Sequence, residues 1–81
     1  MTGGPRVVVY TRAGCTSCVR AELDVERICG ELGHSWAVVD VDSDGELRAE
    51  YGDRVPVIMV DGREHGFWEV DEPRLRATLG G

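Results

Sequence analysis

Residues 15 to 32 constrain the chain more than any other stretch. Cys18, Ala21, Val25, Ile28, Cys29 and Leu32 are spaced by three or four, with one adjacent pair. At 100° per residue they fall in one stripe about 100° wide, which predicts an amphipathic helix. Gly33 is placed to end it. Ahead of it, residues 6 to 10 (RVVVY) are a β-branched and aromatic run that reads as a buried strand. A strand, a four-residue loop and a long one-sided helix open a β-α unit. The pair Cys15-Thr16-Ser17-Cys18 falls at its junction.

The rest of the chain continues the pattern. Residues 36 to 41 (WAVVDV) form a second strand. Ser43-Asp44-Gly45-Glu46 has the capping-box pattern of a short helix running to about Tyr51 and closed at Gly52. Residues 57 to 60 (VIMV) are a third strand, entered through Val55-Pro56. Asp61-Gly62 is a two-residue hairpin signal, with residues 63 to 67 returning as a fourth strand. Asp71 is placed to cap a last helix that tolerates Pro73 in its first turn and buries Leu75 and Leu79. The expected order is β-α-β-α-β-β-α. Its first two strands are parallel through a crossover, and a hairpin adds an antiparallel pair to the same sheet. This is the element order of the thioredoxin fold in its short form, and the expected class is α/β, a four-stranded mixed sheet flanked by helices in one domain over residues 1–81.

Length and charge narrow the function. The 81 residues suit one small domain, with 42% hydrophobic and 30% charged residues. Fifteen acids face nine arginines, for a net charge of -6. An acidic chain without a basic stripe is not expected to bind nucleic acid. No run approaches the ~20 apolar residues of a membrane-spanning helix. The N-terminal stretch lacks the pattern of a signal peptide, so the expected location is the cytoplasm. There thiols are kept reduced, and a CxxC is rarely a structural bridge.

Dithiol exchange needs one accessible, ionised thiol and a second that reaches it. Cys15 starts the helix, where the dipole favours a thiolate, and its neighbours are small. Arg12, three residues earlier, is a candidate for tuning its acidity. Cys18 lies one turn on, on the buried stripe. Cys15 is therefore assigned as nucleophile and Cys18 as resolving thiol. A zinc set of Cys15, Cys18, Cys29 and His34 is disfavoured. On one helix Cys18 and Cys29 lie ~16 Å apart, far beyond what ligands at ~2.3 Å from one metal allow. A bridge from Cys29 fails likewise, because bridged Cα atoms lie within ~7 Å. Cys29 is expected to pack in the core. No metal is expected. His34 is expected to be exposed, Trp36 to lie in the core or on the sheet face, and Trp68 to pack.

The segments VVVYTRAGCTSCVRAE, VPVIMVDG and VDEPRL resemble the glutaredoxin-like branch of the thioredoxin superfamily, over nearly the whole chain from Arg6 to Leu79. Tyr10, Arg12, Cys15, Cys18, Val55 and Pro56 stand at the family's places. The resemblance implies electron transfer between thiols and disulfides. It also implies a cis Val55–Pro56 bond facing the CxxC, with Val55 main-chain groups pairing with the incoming substrate. Three places depart from the usual pattern. The CxxC lacks the family's proline and tyrosine, Ala13 replaces a proline, and Phe67-Trp68 stand where a second glycine usually helps to bind glutathione. The expected protein is a monomeric thiol–disulfide oxidoreductase without a cofactor beyond its own Cys15–Cys18 disulfide. Its expected substrates are disulfide-containing proteins or small thiols. A thiol reductase system, or glutathione or another small thiol, would reduce it. The alternatives are an iron–sulfur carrier of glutaredoxin type and a non-catalytic binding module with the same fold.

Overall fold

The computed structural model describes residues 4–80. The elements are β1 (Val7–Thr11), α1 (Thr16–Leu32), β2 (Trp36–Asp40), a single 3-10 turn (Val41–Ser43), α2 (Gly45–Tyr51), β3 (Val57–Val60), β4 (Arg63–Phe67) and α3 (Glu72–Leu79). The strands lie in the order β2-β1-β3-β4. β1 and β2 run parallel, with Val7 opposite Trp36 and Thr11 opposite Asp40. β3 is antiparallel to both β1 and β4. This is the mixed sheet expected from the order of the elements.

Alternation along β1 decides which face carries the core. Val7, Val9 and Thr11 are buried, and Val8 and Tyr10 are half-buried. Val7 and Val9 meet Ala21, Val25, Ile28 and Cys29 of α1, Ile58 and Val60 of β3, and Leu75 and Leu79 of α3. Each fully buried Val, Ile or Leu contributes roughly 1.5–3 kcal/mol. On the other face Tyr10 stacks on Tyr51 of α2, with ring centroids 4.7 Å apart and planes at 15°. Leu32 and Trp36 are partly buried against the core.

Local signals account for most boundaries. Gly33 ends α1 in the left-handed conformation, φ 77°, and its N–H bonds to the Cys29 carbonyl at 2.8 Å. Asp61 and Gly62 both take positive φ, 53° and 82°, the two-residue turn that suits right-twisted strands. Asp71 caps α3 by accepting the Arg74 N–H at 3.2 Å.

Several expectations are corrected. The cap of α2 is Asp44, which accepts the Glu46 N–H at 2.8 Å. Ser43 instead belongs to the 3-10 turn and donates its hydroxyl to the Asp40 carbonyl at 2.6 Å. Val41 leaves the second strand to be buried in that turn. β4 carries a bulge: Ile58 pairs with Gly66 and Met59 with Glu64, which leaves His65 as the extra residue. His34 is half-buried rather than exposed, because its Nε2 meets the last carbonyl of α3, that of Leu79, at 3.1 Å. Arg6 reaches the same carbonyl at 3.2 Å and pairs with Asp61 at 3.1 Å. Trp68 does not pack. It is 62% exposed, beside a 44% exposed Phe67, because β4 ends there and Trp68 turns the chain with φ 72°.

Candidate active site

The β1–α1 loop places the cysteine pair. Gly14 takes φ 77°, a conformation that glycine adopts without a Cβ clash, and the chain then enters α1 through Cys15. Cys15 has extended backbone, φ -99° and ψ 107°, and it is the N-cap. Its Sγ accepts the Cys18 N–H at 3.1 Å. A sulfur thus does what a Ser or Asp oxygen usually does at a helix start, and a thiolate does it better than a thiol. Cys15 is half-buried at the surface, and Cys18, one turn on, is 1% exposed.

The two sulfurs have different surroundings. Burial pushes the Cys18 thiol up to about 11, helped by its hydrogen bond to Cys15. The Arg12 main chain opposes this, and the charges of Cys15 and Glu22 add to it. Cys18 therefore holds its proton at neutral pH, and the S–H it keeps is a donor to Cys15. Cys29 is enclosed in the core, and burial alone raises it. It sits eleven residues beyond Cys18 on the same helix. Among the described residues no three His, Cys, Asp or Glu side chains are gathered as a metal's ligands would be.

Arg12 lies on the rim, with its charge committed. Its Nε and Nη2 donate to the two oxygens of Asp42 at 3.2 and 3.1 Å, and its Nη1 reaches the Gly52 carbonyl at 3.4 Å. The Val55–Pro56 bond is cis. Pro56 is buried and Val55 half-buried. The Pro56 carbonyl accepts the Trp68 N–H at 2.7 Å, which ties the exposed Phe67–Trp68 pair to the cis-proline segment.

The loop and α1 frame an open groove of about 540 Å³ around Cys15, walled by Arg12, Val19, Glu22, Val38 and Asp40. Sequence reasoning missed this wall. Val19 of this wall and Leu23, one turn on and outside the groove, are apolar residues on the side of α1 opposite the core stripe, 57% and 59% exposed. Apolar residues out of phase with a helix's buried stripe are the signal that pointed there.

Comparison with known proteins agrees with this geometry. Residues 6–80 match the family described as Glutaredoxin-like domain (DUF836). The chain is 51% identical to Uncharacterized protein Rv0508 of Mycobacterium tuberculosis, over 93% of this chain and 82% of that protein. Among solved structures it is similar to the Northeast Structural Genomics target protein XcR50 from X. campestris. That match has a TM-score of 0.72 and 35% identity, covering 90% of this chain and 93% of that one. It is also similar to Fasciola hepatica thioredoxin, with a TM-score of 0.59 and 29% identity, covering 90% and 75%. The fold is that of thioredoxins and glutaredoxins, and the chain belongs to the glutaredoxin-like domain family.

Proposed function

We propose that this protein is a thiol–disulfide oxidoreductase in which Cys15 attacks and Cys18 resolves. One observation carries the reading. Cys15 caps α1 with its sulfur on the Cys18 N–H at 3.1 Å, while Cys18 is buried and pushed up to about 11. Donors at a helix start favour a thiolate over a thiol. The surface thiol is thus the one prepared to attack. The buried thiol stays protonated until a mixed disulfide forms on its neighbour.

In this reading Cys15 attacks a substrate disulfide, and one substrate thiolate leaves. Cys18 then gives up its proton and attacks the Cys15 sulfur, which releases the second thiolate. A dithiol reductase system, or a small thiol such as glutathione, returns the Cys15–Cys18 disulfide to the dithiol. Val55, beside the cis-proline, is the proposed main-chain partner of the substrate. Among the described residues no helix is long and apolar enough to cross a membrane. We place the reaction in the cytoplasm and its agent as a monomer.

The test is insulin reduction driven by an external dithiol, with a Cys18→Ser variant as a trap. Turnover by the wild type, none by Cys15→Ser, and a stable mixed disulfide on Cys18→Ser are the expected results. Equal turnover by Cys15→Ser would overturn the assignment.

A further inference from the structure

The groove beside Cys15 carries unbalanced charge. Glu22 and Asp40 both line it. Among the described residues neither is ion-paired. Asp40 uses one oxygen to accept the Asp42 N–H at 2.9 Å. Arg12, the cation on the same wall, is neutralised by Asp42 at 3.1 Å. The whole chain adds to this excess, at -6. Glu22 is close enough for its charge to act on the Cys18 thiol, which it helps to raise. The same wall is apolar between its charges, with Val19 57% and Val38 39% exposed.

A surface of this kind sorts disulfides by charge. Unit charges within a Debye length, about 8 Å at physiological ionic strength, attract or repel appreciably. An anionic arm approaching Cys15 meets two carboxylates and a developing thiolate. A cationic arm meets partners. The groove's volume of about 540 Å³ is that of a small-molecule site.

We infer that the groove beside Cys15 selects low-molecular-weight disulfides whose arms carry positive charge, with the cationic end against Glu22 and Asp40 and the carbon chain against Val19 and Val38. This inference rests on the dithiol reading above. The Cys15 thiolate attacks the sulfur of the bound arm. That Cys15–sulfur bond forms as the substrate S–S bond breaks, and the free arm leaves as a thiolate that takes a proton from water. Cys18 then loses its proton and attacks the Cys15 sulfur, and the bound arm leaves with that proton. Two electrons pass from the pair to the substrate. The resulting Cys15–Cys18 disulfide is returned by an external dithiol.

The experiment follows oxidation of the pre-reduced protein by stopped flow. Three disulfides of similar size are used: bis(2-aminoethyl) disulfide, bis(2-hydroxyethyl) disulfide and dithiodiacetate. Each is run at low salt and at about 1 M, where the Debye length falls to about 3 Å. The expected result is that salt slows the cationic disulfide and speeds the anionic one, each by about three- to tenfold. The Glu22→Gln/Asp40→Asn protein is expected to show the same two opposite changes at low salt. Its effect on the neutral disulfide is the reference against which the charged pair is read. Intrinsic reactivity cancels in each wild-type-to-variant ratio. Asn at position 40 keeps the oxygen that accepts the Asp42 N–H, and Glu22→Gln alone covers the case in which the double variant fails to fold. If salt and substitution change all three rates in parallel, the inference falls and the dithiol reading stands. If the reduced pair is oxidised by none of the three, the dithiol reading fails and the inference with it.

Discussion

The Trp68 main-chain N–H donates to the Pro56 carbonyl at 2.7 Å. Its indole contributes little to that bond, being 62% exposed and meeting Phe67 edge-on at 5.0 Å. Backbone and side chain at this position therefore separate. The backbone sits at φ 72°, where a Cβ costs roughly 1–2 kcal/mol and glycine avoids it. Trp68→Gly keeps the N–H and removes the Cβ. Its expected effect is a gain of about 0.5–1 kcal/mol, after some loss of aromatic contact with Phe67. Urea unfolding measures it. A loss above about 1 kcal/mol would mean that the indole holds the end of β4 in place.

The cysteines should react in a fixed order. Cys18 is raised to about 11 and Cys29 is raised by burial, so at neutral pH an alkylating agent followed by peptide mass mapping is expected to mark Cys15 alone. Cys15→Ala removes the hydrogen bond that helps to raise Cys18, and the Cys18 thiol should move down while burial still holds it above its ordinary 9.0. The sign for stability follows. Cys18 holds its proton more tightly folded than unfolded, so its contribution is complete below pH 9 and is lost as pH rises towards 11. Denaturation midpoints of wild type and Cys18→Ala should converge over that window. Labelling of Cys18 ahead of Cys15 would reverse the roles.

Two glycines should respond to alanine in opposite directions. A Cβ on Gly52 would lie 2.5 Å from the Arg48 carbonyl oxygen, which is backbone and cannot swing away. Gly52→Ala is expected to cost about 1–3 kcal/mol, as overpacking does. It should also loosen the Gly52 carbonyl that Arg12 reaches at 3.4 Å. Gly30 lies inside α1 with nothing within 4 Å of an added Cβ. Gly30→Ala is expected to stabilise by about 1 kcal/mol, the helix-propensity difference. Chemical denaturation of both variants tests the pair, and equal shifts in one direction would refute it.

What could be read ahead was local. The stripe from Cys18 to Leu32, the dipeptide Asp61-Gly62 and the cap at Asp71 each act through neighbours within a few residues. What could not be read was settled at long range. Arg12 finds its partner Asp42 thirty residues away, a pairing that the local sequence does not announce. The bulge at His65 depends on register with β3, which the segment REHGF does not encode. Ser43 and Asp44 both suit a cap, and the 3-10 turn before α2 decides between them. The exposure of Trp68 follows from where β4 ends, since an indole by itself suits a core or a surface. The site was half legible. The cysteines stand in a motif, whereas Val19, Val38, Glu22 and Asp40 come together only when α1 and β2 are placed side by side.

Glu72 gives the clearest pH dependence. It lies in the first turn of α3 and accepts from Arg27 Nη2 and Nη1, at 2.8 and 3.0 Å, and from Arg76 Nε at 2.9 Å. Arg76 also reaches Glu31 at 2.7 Å, so the cluster joins α1 to α3. The hydrogen bonds from Arg27, then those from Arg76, hold the Glu72 carboxyl at about 2, against an ordinary 4.5. The groups are between a third and a half exposed, so solvent screens the cluster and its worth is modest. A depressed carboxyl stabilises the fold fully above pH 4.5 and loses that contribution as pH falls to about 2. Thermal midpoints of wild type and Glu72→Gln measured at pH 7, 5, 3 and 2 isolate it, because other carboxylates shift both proteins alike. The wild-type advantage should be constant from pH 7 to 5, shrink below 4.5 and nearly vanish by pH 2. About 1 M salt should reduce it at every pH. An advantage that persists unchanged to pH 2 would show that the charge of Glu72 is not what joins the helices.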